Sequence, residues 1–384
     1  MRWILPLVSL VAAVASLLTF VRAPDYIWAW KLAIVVGEYG HWLVLLPLGL
    51  AGLAVFGSGG MVRVLTLGLC AVAAGGCLRP VFTAWRIAEQ LPADLRGAFG
   101  GDDESFGLDL GRLYRGRPVP SAAMRTEVFA RTEGQELKLD FYRPALSKDV
   151  RGKPRPCVIV VHGGGWDGGD RTQLAAWNAR LVAQGYAVAA VSYRLAPRWI
   201  WPAQRDDVLT AIAWLKANAR QLEIDPTQLV LLGRSAGGQL AAAVGYGAND
   251  PAIRGVIALY APHDMPFAWS VSREDDALNS IKLFKQYFGG PPDTPERRVL
   301  YEAASGQSLV RAGSPPTLLL HGERDTLAWY RHSERLAARL QELRVPHYFV
   351  RLPWATHGFD FNPDGPGGQL ADYAIRRFLA TVTH

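Results

Sequence analysis

Ser235 lies in the run Gly233-Arg234-Ser235-Ala236-Gly237-Gly238, after the apolar residues 229–232 and before a small-residue helical pattern over 236–248. A buried strand, a sharp turn and a helix are the setting in which a Gly-x-Ser-x-Gly serine becomes a nucleophile. The flanking glycines fit such a turn because it leaves no room for side chains. A serine hydroxyl is a weak nucleophile at neutral pH, so this chemistry also needs a base and a group that orients it. His357, in Trp354-Ala355-Thr356-His357-Gly358-Phe359, is the candidate base. Asp325 and Glu323 compete as the orienting carboxylate, with Asp264 as a third candidate. The three glycines of His162-Gly163-Gly164-Gly165-Trp166 would let backbone N–H groups approach a developing oxyanion without a Cβ in the way.

These residues need a scaffold that gathers distant loops. From residue 126 the chain alternates strand and helix. Two amphipathic strands, 126–131 and 137–142, flank Gly134 and suggest a hairpin. Six continuous apolar runs follow at 157–161, 187–192, 229–233, 255–259, 317–321 and 347–352. Runs of this kind are buried on both faces, as in a parallel sheet. Helical patterns at 173–184, 204–220, 236–248, 331–343 and 369–382 separate or follow them. The expectation is an α/β domain over 126–384, with eight mostly parallel strands flanked by helices. Ligands in such sheets sit beyond the carboxyl ends of the strands. Gly164 and Gly165, Ser235, Asp325 and His357 follow the third, fifth, seventh and eighth expected strands.

Together these motifs, with Ser192-Tyr193-Arg194-Leu195-Ala196-Pro197, resemble the α/β-hydrolase superfamily. The resemblance is to its esterase/lipase group, which includes hormone-sensitive-lipase-like, prenylcysteine-methylesterase-like and arylformamidase-like enzymes. It covers about residues 126–384. It implies a carboxylic ester hydrolase with a catalytic triad of Ser235, Asp325 and His357, Asp325 being preferred to Glu323 on this ground. It implies an oxyanion hole from the N–H groups of Gly164, Gly165 and Ala236. It requires no metal or organic cofactor, and the partner is a small-molecule or lipid ester. Segment 261–314 corresponds to a cap over the acyl pocket, where Trp269 and Phe284 would line the pocket or simply pack the cap. Trp166 and Trp199 are further pocket candidates. Arg234 and Arg198 depart from the group's usual acidic residues, which leaves the subfamily and substrate open. Amide or acyl-transfer chemistry by the same triad, or an idle fold used for binding, are the alternatives.

Gly163 to Gly168 also fits the G-x-G-x-x-G dinucleotide pattern formally. The acidic residue expected about 20 positions on is replaced by Ser192-Tyr193-Arg194. There is no P-loop, HExxH or Cys/His metal motif.

The first 91 residues read differently. They carry six basic and three acidic residues, against 41 and 34 in the whole chain. Residues 3–21 hold no charge and would span roughly 28 Å as a helix, about one hydrocarbon core. Residues 32–56 and 64–78 are further apolar segments, and Trp28, Trp30, Trp42 and Trp85 lie near segment ends. The expectation is about three transmembrane helices over 1–91, a linker over 92–125, and an integral membrane protein. Arg2 and Arg63 would face one side and Arg22, Lys31, Arg79 and Arg86 the other, which leaves the orientation open. Glu38 and His41, three apart, share a helix face and are expected to satisfy each other or to serve function. The net charge of +7 is spread thinly, with no Lys/Arg block for nucleic acid. Three cysteines without a CxxC pair provide no disulfide framework.

Overall fold

The computed structural model describes residues 3–102, 104–144 and 154–383. Arg2 lies outside these.

The strands are β1 (Ala123–Thr132), β2 (Gln135–Arg143), β3 (Arg155–Val161), β4 (Ala187–Val191), β5 (Ile224–Arg234), β6 (Ile253–Leu259), β7 (Thr317–Gly322) and β8 (His347–Leu352). They form one sheet in the order β1-β2-β4-β3-β5-β6-β7-β8. β1 and β2 pair antiparallel through the turn at Glu133-Gly134, where both residues have positive φ (48° and 76°). β2 is antiparallel to β4, and every pairing from β4 to β8 is parallel.

Alternate side chains of the apolar strands enter two different cores. Cys157, Ile159 and Val161 of β3 face one, while Val158 and Val160 face the other. Burial on both sides explains why these strands read as unbroken apolar runs.

Helices cover both faces. Those of the N-terminal segment are α1 (Ile4–Ser16), α2 (Ile27–Leu43), α3 (Leu45–Gly57), α4 (Gly60–Phe99) and α5 (Leu110–Arg115). Between strands lie α6 (Ala175–Ala183), α7 (Ala203–Ala217), α8 (Ala219–Leu222) and α9 (Ala236–Gly247). The segment between β6 and β7 folds into four short helices: α10 (Met265–Ser270), α11 (Ser280–Phe288), α12 (Pro295–Ala303) and α13 (Gly306–Leu309). α14 (Arg331–Glu342) and α15 (Pro366–Val382) complete the chain.

The N-terminal segment departs from three separate spans followed by a linker. Only α4 is by itself long and apolar enough to cross a membrane among the described residues. The expected segment 32–56 is a pair of helices, α2 and α3, bent by 53°. Segment 3–21 is the shorter helix α1 with a 3-10 turn at Leu17–Thr19. The expected boundary at residue 91 falls inside α4, which at 40 residues is about 60 Å long. Its second half carries Ala84, Ala88, Leu91 and Leu95 at helical spacing into the same core as Ile375, Phe378 and Leu379 of α15. That half of α4 therefore packs as one of the helices against the sheet.

Glu38 and His41 find separate partners rather than each other. The Glu38 carboxylate accepts from Gly367 N at 3.0 Å, in the first turn of α15, and from Trp354 Nε1 at 3.3 Å. His41 Nε2 donates to Leu113 O at 2.8 Å. Both residues are buried, Glu38 where α2 meets the C-terminal part of the chain and His41 where it meets α5.

Candidate active site

The turn from β5 into α9 is held by close backbone approach. A Cβ on Gly233 would collide with Gly237 O, and one on Gly237 with Val161 O. Ser235, at the apex, has φ 52° and ψ −123°, a conformation that an L-residue adopts only under constraint. Its N–H donates to Leu259 O of β6 at 2.9 Å, which fixes the apex to the neighbouring strand.

His357 stands on the loop after β8. Its Nδ1–H donates to Asp325 Oδ2 at 2.8 Å. Trp30 of α2 donates Nε1–H to the His357 carbonyl at 2.8 Å, and the Tyr260 ring lies 4.6 Å from the imidazole. Asp325 is fully buried after β7. Its Oδ1 accepts from the N–H groups of Leu327 and Ala328, each at 2.8 Å. Burial works against its charge. The positive field of His357 and the hydrogen bonds from His321 and His357 outweigh this and hold the carboxyl well below the usual range.

A second histidine serves the same carboxylate. His321 Nε2 lies 3.1 Å from Asp325 Oδ2 and 2.9 Å from Ala328 O. Both neighbours are acceptors, so the proton is on Nε2, and Ser333 Oγ–H donates to Nδ1 at 2.8 Å. His321, at the end of the apolar run 317–321, has no role assigned from the sequence. Its position four residues before Asp325 was the available signal.

The glycine loop packs directly on the serine. A Cβ on Gly163 would lie 3.2 Å from that of Ser235. Gly164 and Gly165 have φ of 119° and 60°, where glycine is favoured. Gly163 N donates to Gln173 Oε1 at 2.9 Å. Among the described residues, the N–H groups of Gly164, Gly165 and Ala236 have no protein acceptor, and all three residues line the cavity that Ser235 and His357 also line. His162 is turned away from this chemistry: its ring stacks on Tyr193 at 4.2 Å and its Nδ1 lies 2.8 Å from Gly163 O.

That cavity has a volume of about 800 Å³. Trp166 and Phe284 line it. Trp166 is held by stacking on Tyr287 at 4.3 Å and by donation to Gln239 Oε1 at 2.8 Å. Trp199 and Trp269 lie outside it. Trp199 turns to Glu133 of the opening hairpin. Trp269 packs edge-on against Phe284 and Tyr301 inside the four-helix segment. The rival carboxylates are engaged elsewhere: Glu323 pairs with Arg351, and Asp264 caps α10 and pairs with Arg335.

Three groups escaped the sequence reading. Asp360 accepts from Arg234 Nε at 2.5 Å and from Tyr260 OH at 2.6 Å, beneath the loops that carry Ser235 and His357. Arg22, Asp25 and Trp30, from the N-terminal segment, form part of the cavity wall. Arg273 of the segment between β6 and β7 pairs with Asp25 across it. None of these contacts has a local sequence signal, because each joins residues far apart in the chain.

A family profile described as BD-FAE matches residues 139–340, more than half of the chain. Among curated proteins, Esterase LipC of Mycobacterium tuberculosis is 32% identical over 64% of this chain and 62% of its own length. The chain thus spans less than two thirds of that relative. The Probable carboxylic ester hydrolase LipM of the same organism is 26% identical over 93% of this chain and 87% of its own length. The latter match therefore extends into the N-terminal helical segment. Among solved structures, a bacterial heroin esterase superposes with a TM-score of 0.60 at 24% identity, over 72% of this chain and 89% of that one, which shows the α/β-hydrolase fold. The chain belongs to the BD-FAE family, within the esterase/lipase group of α/β-hydrolases.

Proposed function

We propose that the protein is a membrane-anchored serine hydrolase that cleaves carboxylic esters through an acyl-enzyme. The observation that carries this reading is the 2.8 Å contact between His357 Nδ1 and Asp325 Oδ2, with His357 on the same cavity as Ser235. The contact leaves His357 Nε2 as the basic nitrogen. It takes the Ser235 proton as Oγ attacks the ester carbonyl. The carbonyl oxygen becomes an oxyanion held by the N–H groups of Gly164, Gly165 and Ala236. The protonated imidazole then gives its proton to the leaving alcohol. Water, deprotonated by the same nitrogen, attacks the acyl-serine; the intermediate collapses, the acid leaves, and the imidazolium returns its proton to Ser235 Oγ. Asp325 stays ionised throughout and steadies the imidazolium. The names of LipC and LipM support an ester as the substrate.

In this reading residues 126–384 are the catalytic domain and 261–314 its cap, with Trp166 and Phe284 facing the substrate. α1, α3 and the first half of α4 are the bilayer-embedded part. The support is the apolar character of α4 and of the bent pair, and the exposed side chains of Leu7, Val11, Val14, Leu48 and Val64. α2 and the second half of α4 then lie against the catalytic domain.

The test is turnover of an ester series by the full chain and by Ser235→Ala. Loss of turnover in the variant, with its folding unchanged, is expected. Undiminished turnover would refute the mechanism.

A further inference from the structure

The cavity mouth and the N-terminal segment are bound together by chain geometry. The 3-10 turn that extends α1 ends at Thr19, and Arg22 is already in the cavity wall. Three residues reach at most about 11 Å. Asp25, also in the wall, is two residues before the start of α2. The mouth therefore lies within a short reach of the end of an apolar helix.

Apolar side chains lie uncovered on the rim there, alongside the Asp25–Arg273 ion pair. Val271, Leu278 and Phe361 line the cavity and yet are 42%, 39% and 50% exposed. Beside Asp25 in the chain, Tyr26, Ile27 and Trp28 are exposed as well, and the rings of Tyr26 and Trp28 stack at 6.0 Å. Single exposed apolar residues are ordinary, but a group of them around a cavity mouth marks a contact surface. Aromatic residues next to basic ones at the end of an apolar helix belong to the interfacial layer of a bilayer. Here Trp28, Tyr26 and Arg22 occupy that place.

We propose that the mouth opens into this interfacial layer, and that the site takes a bilayer-resident ester directly from the lipid phase. The occupant of the rim is the acyl chain of that ester. It passes from the bilayer beside the Asp25–Arg273 ion pair that joins the Arg22–Trp30 stretch to the cap, over Val271, Leu278 and Phe361, to reach Ser235. The inference rests on the membrane-anchored hydrolase reading and adds the route and the substrate class.

The experiment uses the full chain reconstituted in phosphatidylcholine vesicles. p-Nitrophenyl palmitate dissolved in the bilayer is compared with p-nitrophenyl acetate dissolved in water. At constant total ester, added phosphatidylcholine should lower palmitate turnover in step with its surface fraction. A palmitate rate that ignores surface dilution would overturn the proposal. Leu278→Asp and Val271→Asp should each reduce the palmitate-to-acetate ratio about tenfold, whereas an unchanged ratio in both would overturn it. Vesicle flotation and fluorophosphonate labelling are read in parallel. An enzyme that floats and labels but ignores surface dilution sinks the route alone. One that fails to float, or fails to label, sinks the anchoring or the catalytic reading with it.

Discussion

Arg234 donates its Nε–H to Asp360 Oδ2 at 2.5 Å, and both side chains are buried. The residue before Ser235 is thereby tied to the residue three beyond His357. Tyr260 donates to the other oxygen of Asp360 and lies against the imidazole. The Arg234 cation also lies 5.5 Å from the Trp177 ring. The pair acts as a strut between the loop that carries Ser235 and the loop that carries His357.

Breaking this strut on one side leaves a buried charge without its partner. Arg234→Met or Asp360→Asn should each destabilise the fold by about 3–5 kcal/mol. The double variant Arg234→Met/Asp360→Asn removes both charges and should recover most of that loss. Denaturant unfolding of the three variants measures it. Additive losses in the double variant would show that the two residues act independently.

Trp30→Phe keeps an aromatic ring but removes the donor to the His357 carbonyl. The loss of one hydrogen bond is about 0.5–1.5 kcal/mol, so kcat/KM should fall roughly 2- to 10-fold. The unfolding midpoint should change little. Unaltered kinetics would mean that α2 does not position the histidine.

His321→Phe removes one of the two imidazoles on Asp325 and leaves Ser333 without its acceptor. A hydrogen bond to a charged group contributes about 1.5–3 kcal/mol, so kcat should drop by tenfold or more. KM should be nearly constant, since His321 is buried away from the cavity lining. A change confined to KM would contradict this positioning role.

His332, buried against Phe267, is pushed down from 6.5 to about 3, first by burial and then by the neighbouring His321 imidazole and Arg335 cation. The unfolded chain binds a proton near pH 6.5 that the folded chain refuses until about pH 3. Between these values the unfolded state holds more protons, so stability falls as pH falls, by roughly 1.4 kcal/mol per unit. In His332→Leu the thermal midpoint should fall less steeply over that window. An identical slope would show that other groups govern acid unfolding.

The strands and the four site loops were legible because both signals are local. An apolar run such as 229–232 followed by small residues announces its own strand and turn. The N-terminal segment was not legible in the same way. A hydropathy window joins residues 32–56 into one run and cannot register the 53° bend between α2 and α3. It is equally blind to Glu38 meeting Gly367, or Trp30 meeting His357, more than 300 residues away. Trp199 is a pocket candidate by its closeness to a motif in the chain, and Trp269 by its place in segment 261–314, with packing of the cap as its alternative. Direction of the side chain decided otherwise: Trp199 reaches Glu133, and Trp269 reaches its neighbours within the four-helix segment.

Peptide mapping after reaction of the full chain with a fluorophosphonate tests the central claim most directly, because only a serine activated by its own base reacts readily. The account expects a single adduct on the peptide that carries Ser235, abolished by His357→Ala. An adduct on another serine, or an unmodified Ser235 in an enzyme that still turns over esters, would contradict it.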